Sequence, residues 1–298
     1  MSKFCLCIAI TIWCSLLVWV DKTAFKQNDS FNLRFILPRL SYDPEWNISS
    51  ISADQQQSID QILTQKFTYL AKGMHAFAFL SEDGRYVIKF HRYPSHMRIL
   101  PWINRPLAYY FSQKKQAVKE HDRHKLNGHL QSYKNSFEHL QEETGLLCVH
   151  IGNTPYLGKM KEVTLIDRKG NSYQVPLSET TFMLQQRADL IYPTLDQCDL
   201  EKGKQVISSV IQLFMNCCQK GYVDQDPILR KNYGLLLNEQ IKAIHIDIGD
   251  MAYQENIKLK ENYIPYIKEM TESLRKRLEK NYPELLDHYH QTIDLLQR

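Results

Sequence analysis

Apolar and small residues alternate with polar ones from Phe67 to Phe90 (FTYLAKGMHAFAFLSEDGRYVIKF), which predicts β-structure turning at Asp83-Gly84. A second period appears from Leu126 to Glu143, where Leu126, Leu130, Tyr133, Phe137 and Leu140 form one helical stripe that Gly145 is placed to end. Short strands are predicted at Leu146–Ile151, Val163–Asp167, Ser172–Leu177 and Thr181–Leu184. The pattern then becomes helical. Leu200–Lys220 carries an apolar face and stops at Gly221; Ile241–Ile246 is one further strand; Glu255–Lys280 and Pro283–Gln297 read as helices. Strands concentrated in the first half and helices in the second predict an α+β molecule of two parts joined near Gln185–Asp189.

The N-terminus breaks this pattern. Phe4–Val20 is an uncharged, largely apolar run of 17 residues, about 25 Å as a helix. A transmembrane signal anchor over 1–26 is the first expectation and a cleaved signal the second. Lys22, Lys26, Arg34 and Arg39 outnumber the cations ahead of the run, which places the main domain on the cytoplasmic side. Residues 27–60 read as a polar tether, and 91–125 as a basic, aromatic insertion, either packed on the first lobe or resting on anionic headgroups. Composition adds little. A net charge of +4 gives no reason to expect nucleic acid, and seven scattered cysteines without C-x-x-C do not form a disulfide framework.

Polar residues then interrupt the pattern at particular places. Lys89 stands alone among Val87, Ile88 and Phe90, downstream of the small-residue turn Ala71–Ala76 that contains Gly73. Gly221-Tyr222-Val223-Asp224-Gln225-Asp226 follows a long helix, with Asn232 six residues after Asp226. Asp247-Ile248-Gly249 closes the strand IKAIHI. In this order the set resembles the protein-kinase-like superfamily, with its glycine-rich loop, strand-three lysine, catalytic-loop aspartate and asparagine, and D-F-G aspartate. The resemblance covers roughly residues 67–255.

It implies a bilobal protein-kinase-like fold, with a β-rich N-lobe over 61–186 and a short helical C-lobe over 187–298. It further implies ATP and Mg²⁺ as cofactors. Gly73 would lie in the lid over ATP and Lys89 on its phosphates. Glu138 would position Lys89, with Glu120, Glu142 and Glu143 as alternatives. Asp226 would be the base that accepts the hydroxyl proton, or Asp224 in its stead; Asn232 and Asp247 would hold Mg²⁺. The partner is a phosphoryl acceptor, protein or small molecule, of unspecified identity. Ala71 and Ala76 stand where the family has glycine, one residue is inserted before Asn232, and no A-P-E follows Gly249. An atypical or small-molecule kinase, a nucleotide-binding pseudokinase, and transfer of a nucleotide group all remain open.

Overall fold

The computed structural model describes residues 29, 31–38, 43–49, 51–93, 112–152 and 158–297. The first helix, α1 (Ala53–Leu63), begins at a capping box. Ser52 Oγ accepts from the Gln55 amide while the Gln55 side chain accepts from the Ser52 amide. Three strands follow, β1 (Lys66–Lys72), β2 (Ala76–Ser81) and β3 (Tyr86–His91). The turn between β2 and β3 holds Gly84 at φ 71°, where a left-handed backbone favours glycine, and Asp83 accepts from the Arg85 amide and from Ser81 Oγ. Then come α2 (Ser112–His139), α3 (Gln141–Thr144), β4 (Leu146–His150), β5 (Glu162–Ile166), β6 (Ser172–Pro176) and β7 (Phe182–Gln186). The seven strands form one sheet in the order β4-β7-β3-β2-β1-β5-β6, antiparallel except for β1 with β5.

Both faces of this sheet are covered. Phe67, Phe77, Phe79, Ile88, Phe90 and Phe182 pack against Phe31, Ile36, Ile59, Ile62 and Leu63. The stretch expected as a tether therefore departs from that expectation. Phe31 is 3% exposed and Ile36 is fully buried, because the aromatic face of the sheet has no other cover. On the opposite face lies α2, with Leu126, Leu130, Tyr133 and Phe137 meeting Leu146, Val149 and Met183. Alternation along β3 sends Ile88 and Phe90 to the first face and Lys89 and His91 to the second.

The helical half has its own core. It contains β8 (Asp189–Leu190), α4 (Ile191–Leu195), α5 (Leu200–Gln219), β9 (Tyr222–Asp224), α6 (Leu229–Asn232), β10 (Tyr233–Leu237), β11 (Ile241–His245), β12 (Met251–Tyr253), α7 (Lys260–Met270), α8 (Glu272–Asn281) and α9 (Pro283–Leu295). Asp199 caps α5 by accepting from the Lys202 amide, and Val206, Val210, Ile211 and Phe214 bury its apolar stripe. Gly203 lets α9 approach closely, since a Cβ there would meet Leu285 Cδ1 at 2.8 Å. The single helix expected over Glu255–Lys280 is divided, with α7 and α8 meeting at Thr271.

Two expectations fall outside the described residues. The apolar run Phe4–Val20 is one; among the described residues no helix is long and apolar enough to cross a membrane. Most of the basic insertion is the other, and its end, from Ser112, forms the start of α2.

Candidate active site

The β10–β11 hairpin assembles the core of the site. Tyr233 pairs with His245 at its open end, so the residues just outside the pairing, Asn232 and Asp247, are forced together. The Asn232 carbonyl accepts from the Ile246 amide at 2.7 Å and from the Asp247 amide at 3.3 Å. Asn232 Nδ2 donates to the Asp226 carbonyl at 2.6 Å, which ties the turn after β9 to the same end. Asn232 Oδ1 thereby remains for another partner. The residue inserted between Asp226 and Asn232 is absorbed by this turn and by α6, where the Ile228 amide donates to the Asp226 carbonyl at 2.8 Å.

The two aspartates of the Asp224-Gln225-Asp226 run have different environments. Asp224 is buried. Its carboxylate lies 3.2 Å from His245 Nε2 and accepts from the Tyr233 hydroxyl and, at 2.9 Å, from the Asp226 amide. Burial pushes its pKa up, but His245, Tyr233 and the amide together outweigh that and hold it below the usual carboxylate range. The Tyr233 and His245 rings stack at 4.5 Å with an interplanar angle of 10°. Asp226 is exposed, as is Asp247. A base must meet its substrate, so the geometry favours Asp226 over the alternative Asp224, which braces the loop.

Lys89 enters the same region from β3. Its Nζ donates to Gln185 Oε1 at 2.9 Å and to the carbonyl of Ile246, the residue before Asp247. Burial lowers its pKa to about 8 against the opposing pull of Asp247. Gln185 is fixed from behind, its Nε2 donating to the His245 carbonyl at 3.0 Å and to that of Thr144.

The expected Lys89–Glu138 pair is not formed. Glu138 lies one turn beyond Lys134, and that stripe of α2 faces the chain before α1. Glu138 accepts from Ser49 Oγ at 2.8 Å, and Lys134 donates to the Glu45 carbonyl. The alternative glutamates are also elsewhere. Glu143 pairs with Lys220, Glu142 lies 3.8 Å from Lys242, and Glu120 is exposed. Gly73 sits in the turn between β1 and β2; its amide is donated to the Ala76 carbonyl, and a Cβ there would make only ordinary contacts.

Instead of a glutamate, α2 presents His129 and Ser132 to the Asp247 loop. His129 Nδ1 donates to the Gly249 carbonyl at 2.8 Å; a carbonyl can only accept, so Nδ1 carries the proton. Ser132 Oγ donates to the Ile248 carbonyl at 2.6 Å and accepts from the Met251 amide at 2.8 Å. His129 borders the apolar stripe recognised from the sequence, and its signal is that it is polar there; Ser132 lies beyond the stripe and gives no such signal. Ser132→Ala leaves a buried carbonyl and amide unpaired. It is expected to lower unfolding free energy by roughly 2 kcal/mol, with Ser132→Thr recovering most of it in a denaturant titration.

A cluster of rings closes the lid end. The His75 and His129 ring centroids are 4.2 Å apart with the planes tilted by 38°, and His91 Nδ1 lies 3.0 Å from the Tyr133 hydroxyl. Burial, then the neighbouring His129 and His75, lower the His91 pKa to about 3; burial and then His129 lower that of His75. Beside them is a cavity of about 260 Å³.

The donor set fits Mg²⁺ held jointly with phosphate oxygens. Asp247, an exposed carboxylate, and Asn232, with an amide oxygen, are joined through their backbones, and Mg²⁺ characteristically takes one or two carboxylates together with waters and phosphates.

No protein-family model matches this sequence, and no curated protein is significantly similar to it. Three of the solved structures to which it is similar are as follows. The bifunctional kinase-methyltransferase WbdD is 13% identical over 74% of this chain and 43% of that one, with a TM-score of 0.35. The Rio2 kinase of Chaetomium thermophilum, in an ADP/Mg²⁺-phosphoaspartate complex, is 12% identical over 77% and 59%, with a TM-score of 0.37. The aminoglycoside phosphotransferase APH(2'')-Ib, ADP-bound, is 12% identical over 83% and 90%, with a TM-score of 0.33. This chain thus spans less than two thirds of the length of WbdD and of Rio2.

Proposed function

We propose that this chain is a Mg²⁺-dependent, kinase-like phosphotransferase that moves the γ-phosphoryl group of ATP to a hydroxyl. The observation that carries the reading is the convergence of Lys89 with Asp247, Asn232 and Asp226 at one end of the β10–β11 hairpin. Bound MgATP would supply the electrophilic phosphoryl group and neutralise the charge that develops during transfer. Lys89 binds phosphate oxygens with its ammonium, which Gln185 and the Ile246 carbonyl keep in place. Asn232 and Asp247 hold the metal. Asp226 orients the acceptor hydroxyl and takes its proton as the new O–P bond forms and ADP departs. In the same proposal Phe4–Val20 anchors the protein in a membrane, with the main domain on the cytoplasmic side.

A second reading, nucleotide binding without turnover, is favoured by two specific features. The Gly73 amide is already engaged and Lys89 has a glutamine in place of a carboxylate partner. One experiment separates them. MgADP is titrated calorimetrically, and ATP turnover is measured, for wild type and Asp247→Ala. Phosphotransfer predicts turnover that Asp247→Ala reduces at least a hundredfold. Binding with no turnover supports the second reading, and turnover that survives both Asp247→Ala and Lys89→Ala overturns the first.

A further inference from the structure

The cavity beside the site is lined by His75 from the lid turn, His124, Lys125, Gly128 and His129 from α2, and Gln225, Gly249, Asp250 and Met251 from below. It adjoins the reacting groups, since Gln225 precedes Asp226 and Gly249 lies two residues after Asp247. Its volume is slightly below that of common ligand pockets, enough for a small acceptor or the end of a larger one.

Two observations point to an occupant. The first is Gly128. A glycine inside a helix costs about 1 kcal/mol relative to alanine, and packing does not account for this one, because no atom lies within 4 Å of where its Cβ would stand. The missing side chain keeps the cavity open. The second is polarity. The lining includes His75, His124 and Lys125, whose side chains make no hydrogen bond or ion pair among the described residues. His129 is already committed to Gly249. The acid, Asp250, lies 3.7 Å from His129. Hydrogen-bond donors and a cation thus line a cavity that adjoins the reacting groups through Gln225 and Gly249.

We infer that the cavity is the acceptor subsite and that the acceptor is a small hydroxy compound, or the end of a larger one, bearing an anionic group. The anion sits against Lys125, His124 and His75, and the hydroxyl reaches toward Asp226. This rests on the phosphotransferase reading for its orientation but not for its binding chemistry.

The test is calorimetric titration of the full chain with glycerol 3-phosphate, glycerate and glycerol, with MgADP titrated in parallel. The expected result is that at least one anionic compound binds ten or more times tighter than glycerol. Lys125→Ala abolishes that preference and Gly128→Leu weakens anion binding at least tenfold, with MgADP affinity unchanged in both. Both positions are exposed, and Gly128→Ala, expected to raise Tm, controls for folding. Equal binding of all three compounds, or a preference that survives both Lys125→Ala and Gly128→Leu, overturns the subsite. Loss of MgADP binding in wild type with the anion preference intact would instead remove the phosphotransferase reading and leave the subsite standing.

Discussion

Asp224→Ala is expected to destabilise the fold by about 3–5 kcal/mol, whereas Asp226→Ala leaves stability within about 0.5 kcal/mol and removes turnover. The two carboxylates are two residues apart and differ only in what surrounds them. Asp224 is buried with His245 and Tyr233; removing it leaves His245 Nε2 without the carboxylate 3.2 Å away and the Tyr233 hydroxyl without its acceptor. A loss of this size is a large part of a typical domain stability of about 5–15 kcal/mol. Asp226 keeps its backbone contacts when its side chain is cut back, because Asn232 and Ile228 bind its carbonyl. General-base catalysis contributes about 10²–10⁴ in rate, so Asp226→Ala should lower kcat by that factor at unchanged ATP affinity. Urea denaturation and kcat measured on the same preparations check both halves. Equal destabilisation by the two substitutions would refute the assignment. Asp224 also sets an acid limit. Its folded pKa lies below the ordinary 3.8, so the unfolded chain binds the proton first. The stability it contributes is present above that pH and is lost as pH falls below it.

Lys89→Met is expected to weaken MgADP binding by about 10–100-fold, the range for loss of a charged hydrogen bond of about 1.5–3 kcal/mol. A pH signature accompanies it. With its pKa lowered to about 8 in the free protein, Lys89 is charged at neutral pH and loses its proton as pH rises past that value. The ammonium is the phosphate-binding form, so wild-type affinity should fall between pH 8 and 9.5 by up to about tenfold per unit. Lys89→Arg, which cannot lose its proton in this range, should bind with a flat profile. A wild-type affinity that is constant from pH 7 to 9.5 would show that Lys89 does not contact the phosphates.

The parts of this arrangement legible in the sequence were those carried by short-range patterns. The Asp83-Gly84 turn, the α2 stripe and the Asp199–Gly221 limits of α5 depend on residues within a few positions of one another. Lys89 and Asp247 were legible because each interrupts an apolar pattern in the middle or at the end of a strand, and Asn232 through its spacing from Asp226. The partner of Lys89 was not. Choosing among four glutamates on α2 and α3 needed the helix rotation, which is set by contact with residues 43–49 far away in sequence. Gln185 was passed over because a glutamine at a strand end has no short-range signature. Phe31 and Ile36 were hidden by polar neighbours, and only the unpaired aromatic face of the sheet explains their burial. His129 carried a signal, as a polar residue bordering an apolar stripe, whose meaning depends on the loop opposite; Ser132 lies beyond the stripe and carried none.

The way α2 grips the Asp247 loop bears on behaviour in salt. His129 and Ser132 bind backbone carbonyls and an amide, so the principal bonds joining the long helix to the loop are dipolar. Counter-ions at physiological ionic strength weaken exposed charge pairs but have little purchase on buried dipoles. The link between helix and loop should therefore persist over salt concentrations that disrupt a lysine–glutamate bridge. Ionic strength then acts mainly on the arriving nucleotide and acceptor, and leaves the alignment that receives them intact.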